Sequence, residues 1–210
     1  MSATELLRTE RNALCDTFEE VGPDAPTLCE GWDASDLAAH LIVRETRPDA
    51  GLGIVLPGPF ARHTTNVMEH VKQRGFRAMV DALRSGPPWW FRNGPMAAPN
   101  VGENWIHHED LRRARGDGPR KSEPELDALL WRSLGFSGRM AVRRVHGAGL
   151  ELRTPDGRSR VLSTREPNVV ATGEPGELVL YLSGRKEAAV VELDGPPDAV
   201  AIVIATRFGL

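Results

Sequence analysis

A chain of 210 residues, 40% hydrophobic and 26% charged with a formal net charge of -3, has the composition of an ordinary soluble protein and the length for one large domain or two small ones. That charge balance gives no electrostatic reason for nucleic acid or an anionic membrane as partner, so a small molecule is the expected ligand. No run approaches the ~18 apolar residues of a membrane span, and the polar start MSATELLRTERN lacks the basic-then-apolar order of a secretion signal, which makes a cytoplasmic protein the expectation. Cys15 and Cys29 are too few for a disulfide scaffold and are spaced like neither a zinc ribbon nor a CxxC pair; both are read as reduced and structural.

Leu7, Leu14, Phe18 and Val21 recur at helical spacing and predict an amphipathic helix from Ala3 to about Val21, ended by GPDAP. A second helix is predicted from about Ala34 to Arg44, with Asp33 as N-cap and Asp36 near its positive end. RPDAGLGIVLPGP reads as loop. Val67, Met68, Val71, Met79, Val80 and Leu83 then mark one long third helix up to about Arg84, with Gly75 as a weak point in its middle. The following SGPPWWFRNGPMAAPN is too rich in proline and glycine for a regular element. In this loop Trp89, Trp90 and Phe91 admit two readings, a lid over an apolar ligand pocket or a plug in the end of a bundle. A fourth helix is expected from about Pro99 to Arg115, and EPELDALLWRSLGFSGRMAV makes a fifth.

After about Val145 the texture changes to short apolar alternations. GLELRTPDGRSRVLS predicts a hairpin around Asp156-Gly157, NVVAT a strand, EPGELVLYLSGR a helix and AAVVEL a strand. The closing PPDAVAIVIATRF is strand-like by propensity, but Pro197 followed by Asp198 suits a helix start and the run is read as helix. The expected organisation is α+β: residues 1–145 a helical bundle, residues 146–210 a small C-terminal domain of helices and strands.

The densest chemistry is in ENWIHHEDLRR. Residues three or four apart share a helix face, so Glu103 and His107 are neighbours and lie with Asp110, Ile106 and Leu111, whereas Asn104 and His108 lie with Arg112 and Arg115. The first set is expected to face inward and the second outward. A carboxylate and an imidazole buried together need a partner of opposite charge, and a cation is one. His40, flanked by Leu37 and Leu41 on the second helix, points into the same bundle and completes two histidines and one glutamate with an open position. Such ligands suit Zn²⁺ best, with Fe²⁺, Ni²⁺ and Mn²⁺ also compatible. Glu-x-x-x-His alone is a weak motif, and a core histidine is more often simply hydrogen-bonded. His63, His70 and His146 read as surface or loop residues.

At GWDASDLAAHL and ENWIHHEDLRRA the sequence resembles the mycothiol-dependent maleylpyruvate isomerase family, a branch of the DinB-like metal-binding four-helix bundles found in actinobacteria. The resemblance implies a DinB-like bundle with His40, Glu103 and His107 as metal ligands. It extends to GELVLYLSGR, which is similar to the family's second domain, of sterol-carrier-like shape. It further implies an enzyme using a divalent metal, Zn²⁺ or another, and mycothiol as thiol cosubstrate on a small electrophile, as an S-transferase or an isomerase. A thiol with a pKa of about 8.5 is mostly protonated at neutral pH, and coordination to a cation removes that proton. Asp110 is then the residue that orients a ligand or binds an arginine, Arg185 in LSGR the candidate anion contact, and Trp89 and Trp90 candidates for contacting the cosubstrate. Two other classes stay open: a metal-dependent hydrolase or amidase that activates water, and a metal-binding module without catalysis. A monomer or a homodimer is expected.

Overall fold

The computed structural model describes residues 1–51, 58–88 and 97–209. It is a mixed α+β protein whose chain divides into two compact units, Met1–Gly118 and Pro119–Leu210.

Unit 1 is helical. α1 (Ala3–Val21) begins at a capping box in which the Ser2 side chain accepts from the Glu5 amide while the Glu5 carboxylate accepts from the Ser2 amide. α2 (Ala34–Thr46) repeats the device with acidic residues: Asp36 N–H donates to Asp33 Oδ1 at 2.8 Å and Asp33 N–H to Asp36 Oδ2 at 3.3 Å. Lys72 reaches Asp36 Oδ1 at 2.7 Å and ties this helix start to the next element.

The single long helix expected up to Arg84 is two helices, α3 (Pro59–Lys72) and α4 (Phe76–Ser85). Gly75 separates them at φ +84°, a backbone conformation that costs side-chain-bearing residues energy but not glycine. The apolar positions keep helical spacing on either side, so periodicity alone did not reveal the break. The Gly/Pro-rich segment expected as loop holds a helical turn over Pro48–Gly51, and the rest of it up to residue 57 lies outside the described residues. α5 (Ala97–Ala114) packs along α1, while α4 packs on α1 and α2 and α3 on α2. Leu14, Phe18, Leu37, Leu41, Val67 and Met79 fill the core between them, with the Phe76 ring edge-on to Phe18. A buried ion pair crosses the same core. Arg11 donates to both Glu45 oxygens, at 2.8 and 2.5 Å, and to the Leu83 carbonyl at 3.2 Å.

Unit 2 opens with α6 (Pro124–Val142), which the periodicity had grouped with the bundle before a boundary near 145. It packs instead with elements that follow it, on a strand and on α7 (Pro175–Leu182), because its apolar side meets theirs. β1 (Gly149–Arg153) and β2 (Ser159–Ser163) form the expected hairpin, turning at Gly157 with φ +92°. β3 (Asn168–Thr172) lies parallel to β1, and β4 (Glu192–Asp194) lies antiparallel to β3, giving the order β2-β1-β3-β4. β4 is shorter than the AAVVEL run. α8 (Pro197–Ala205) is helical as Pro197 and Asp198 suggest, and it packs on β3. Among the described residues no helix is long and apolar enough to cross a membrane.

Candidate metal centre

The centre forms where α2 passes α5. His40 is 6% exposed, between the buried Leu37 and Leu41. Its ring lies 5.0 Å from that of Trp32 and 5.2 Å, edge-on, from that of His107. One helical turn before His107, Glu103 brings Oε2 to 3.6 Å from His107 Nε2. Arg44, one turn beyond His40 on α2, places Nε 3.5 Å from the same oxygen and donates from Nη1 to Asn100 Oδ1 at 2.9 Å.

The other edge of the His107 ring is committed. Nδ1 lies 2.9 Å from Asp110 Oδ2, and Asp110 is fully buried. Cys29 Sγ donates to that oxygen at 3.2 Å, and the Leu28 amide donates to the Asp110 carbonyl at 3.1 Å. A hydrogen bond from Nδ1–H to a carboxylate sets the tautomer and leaves the Nε2 lone pair, in the neutral ring, for the side where Glu103 and His40 stand.

The electrostatics follow from these contacts. Burial pulls the His107 ring toward the neutral form, but the neighbouring Asp110, Cys29 and Glu103 side chains outweigh that and raise its pKa well above the usual imidazole value. Burial pushes the Glu103 carboxyl up, and the neighbouring His107, Arg44 and His40 reverse this and hold it at about 2. Glu103 is therefore a carboxylate at any physiological pH. Its side chain remains 37% exposed, so the Nε2 side has an approach from solvent.

Two donor sets share His107. On the Nδ1 side, Cys29 Sγ, His107 Nδ1 and an Asp110 oxygen all lie within 4.8 Å of one another. These atoms are already joined by hydrogen bonds whose protons a cation would have to displace. On the Nε2 side stand a second imidazole and an ionised carboxylate, the nitrogen and oxygen donors that a borderline divalent cation takes. Among the described residues the donor atoms that converge within 4.8 Å of one another are those of Cys29, His107 and Asp110, and His40 and Glu103 add donors of the type such an ion takes.

His108 differs from the expectation. With Asn104 it was placed on the outward face, yet both are buried, at 4% and 2% exposure. The wheel assumed one buried face, whereas α5 packs along α1 on one side and meets the His40 and Arg44 side chains of α2 on another. His108 Nδ1 lies 2.9 Å from Glu10 Oε1 and its Nε2 2.9 Å from Thr17 Oγ1, so both ring nitrogens have partners on α1. Glu109 is likewise buried, between Arg112 Nη1 at 2.8 Å and Arg113 Nε at 2.7 Å.

Over 93% of its length the chain is similar to the crystal structure of the mycothiol-dependent maleylpyruvate isomerase. That match covers 95% of the solved chain, with a TM-score of 0.51 and 20% sequence identity. A mutant of the same isomerase, one histidine replaced by alanine, matches with the same coverage, a TM-score of 0.50 and 17% identity. At these identities the likeness is one of fold. No protein-family model and no curated protein matches the sequence.

Of the other candidates, Arg185 belongs to unit 2, just past α7, and its Nη1 donates to the Ser183 carbonyl at 2.7 Å. Trp89, Trp90 and Phe91 lie outside the described residues. His63 pairs with Asp49 at the surface, at 3.0 Å. Cys15 is wholly buried, and its burial pushes the thiol up to about 12, which fits a packing role. The sequence reading missed Cys29, Trp32, Arg44 and Asn100 as neighbours of the centre. Arg44 carried a usable signal, since it stands four residues after His40 on the same helix face. Cys29 carried none, because 81 residues separate it from Asp110.

Proposed function

We propose that this chain is a divalent-metal-dependent enzyme that uses mycothiol on a small electrophilic substrate, as a thiol S-transferase or a maleylpyruvate-isomerase-like catalyst. His40, Glu103 and His107 are its metal ligands in this reading. The observation that carries it is the division of labour at His107, whose Nδ1 is held by buried Asp110 while Nε2 faces a carboxylate and a second imidazole. The fold shared with the mycothiol-dependent isomerase supplies the cosubstrate class.

A divalent cation bound there supplies the charge that keeps a coordinated thiol deprotonated at neutral pH. The rest is the work of this chain. Asp110 holds the proton on Nδ1 and so presents His107 through Nε2. Arg44 keeps Glu103 ionised and turned toward His107, and Asn100 fixes the guanidinium that does so. Trp32 covers one side of the His40 ring and limits its rotation. In this reading Arg185 recognises a substrate anion, and Trp89 and Trp90 contact the cosubstrate.

The test is a screen of electrophiles, maleylpyruvate among them, against zinc-loaded protein with and without mycothiol. Turnover that requires both the metal and the thiol and disappears in His107→Ala is the expected result. Turnover with metal and no thiol would instead establish a hydrolase that activates water.

A further inference from the structure

We infer that the loop over residues 26–33 is a positioning device for both imidazoles of the centre, and that Cys29 is its contact on His107, acting through Asp110 as an outer hydrogen-bond donor. The inference rests on His107 being the ligand proposed above. Three features of the loop support it. It is braced internally: Pro26 and Asp33 bridge, and the Thr27 hydroxyl donates to the Trp32 carbonyl at 2.8 Å and accepts from the Cys29 amide at 3.1 Å. Gly31, at φ +76°, makes the turn that brings Cys29 and Trp32 to the same side of the chain, where Trp32 N–H donates to the Cys29 carbonyl at 3.0 Å. The loop also reaches each ring by a different route, Trp32 packing on His40 and the Cys29 thiol donating to Asp110 Oδ2, the oxygen that faces His107 Nδ1.

That shared oxygen makes the arrangement specific. A second donor on a buried carboxylate oxygen that faces an imidazole restricts its rotation, and the thiol supplies one. The Leu28 amide on the Asp110 carbonyl anchors the backbone of the same residue. Loop and helix are thereby joined at Asp110 by side chain and main chain together. Cys29 is thus a positioning residue rather than a ligand.

The decisive experiment compares wild type, Cys29→Ala and Cys29→Ser in two readouts. In the metal-free protein, labelled at histidine nitrogens, the His107 Nδ1–H proton exchanges with solvent about tenfold faster in Cys29→Ala, while Cys29→Ser, which keeps a donor, stays near wild type. In cobalt titrations without added thiol, Cys29→Ala binds about tenfold more weakly, Cys29→Ser binds like wild type, and no variant shows a sulfur-to-cobalt charge-transfer band. Unchanged exchange in Cys29→Ala overturns the inference, as does a wild-type charge-transfer band that vanishes in Cys29→Ser, which would make the thiol a ligand. Thermal unfolding of Cys29→Ser at the wild-type temperature shows that the comparison is made in folded protein. If no variant binds cobalt, the proposed metal-dependent function fails, and the exchange readout alone still decides the role of Cys29.

Discussion

His107 and His108 are adjacent on α5, almost equally buried, and each lies 2.9 Å from a buried carboxylate. They differ at the second ring nitrogen. His108 uses it on the Thr17 hydroxyl at 2.9 Å and is closed by protein on both sides. His107 leaves Nε2 3.6 Å from Glu103, too long for a strong charge-assisted bond, beside another imidazole. Burial and a carboxylate partner therefore do not separate the proposed ligand from its neighbour. The state of the remaining nitrogen does, and each neighbour serves as a control for the other.

The largest expected effect breaks this pair apart. His107→Ala should abolish stoichiometric zinc binding, measured by elemental analysis after dialysis. His108→Ala should keep one equivalent of metal and lose stability instead, by about 2–4 kcal/mol in urea titration, because buried Glu10 and half-buried Thr17 each lose a hydrogen bond. Equal loss of metal in both variants would show that the two faces of α5 are not distinct in function.

Removing what orients His107 sharpens the contrast at the next level. Asp110→Asn should weaken zinc affinity about 10- to 100-fold, read by competition with a chromophoric chelator, since it removes the charge that fixes Nδ1–H. Glu10→Gln, the matching change beside His108, should leave zinc affinity unaltered. Arg44→Gln should cost less than Asp110→Asn, about threefold to tenfold, because Glu103 is also held by His107 and His40.

Part of this arrangement was legible in the sequence. Glu103, His107 and Asp110 follow from helical spacing alone, and His40 from its two leucine flanks, because both signals are local. The capping box at Asp33 and Asp36 was readable for the same reason. The burial of His108 was not. It depends on α1 supplying Glu10 and Thr17 from more than 90 residues away, and a wheel drawn for one helix has no information about a second covering neighbour. Cys29 was read as a structural thiol because its partner, 81 residues on, is also remote. Gly75 was noticed as a weakness but not as a break, since its positive φ is a property of the turn and leaves no trace in the apolar periodicity. α6 was grouped with the helices before it because it is a helix; its packing partners come later in the chain.

The smallest expected effect lies in the first turn of α2 and tests whether helix presentation matters apart from the proposed ligands. Burial raises the Asp36 pKa, but the bonds from Lys72 and Asp33 more than offset it and leave it below the usual 3.8. A carboxyl depressed in the folded state stabilises it fully above the unfolded value and loses that contribution as pH falls through the folded one. Asp36→Asn should therefore lower stability by about 1 kcal/mol at pH 7, and the difference from wild type should shrink as the pH falls below about 4. Zinc stoichiometry should not change.

X-ray absorption at the zinc edge, recorded on metal-loaded protein before and after mycothiol is added, tests the central claim most directly. We expect nitrogen and oxygen scatterers at about 2.0–2.2 Å, with two imidazoles, in the first state, and one added sulfur at about 2.3 Å in the second. Sulfur already present without mycothiol, or a shell that does not change when it is added, would contradict the account.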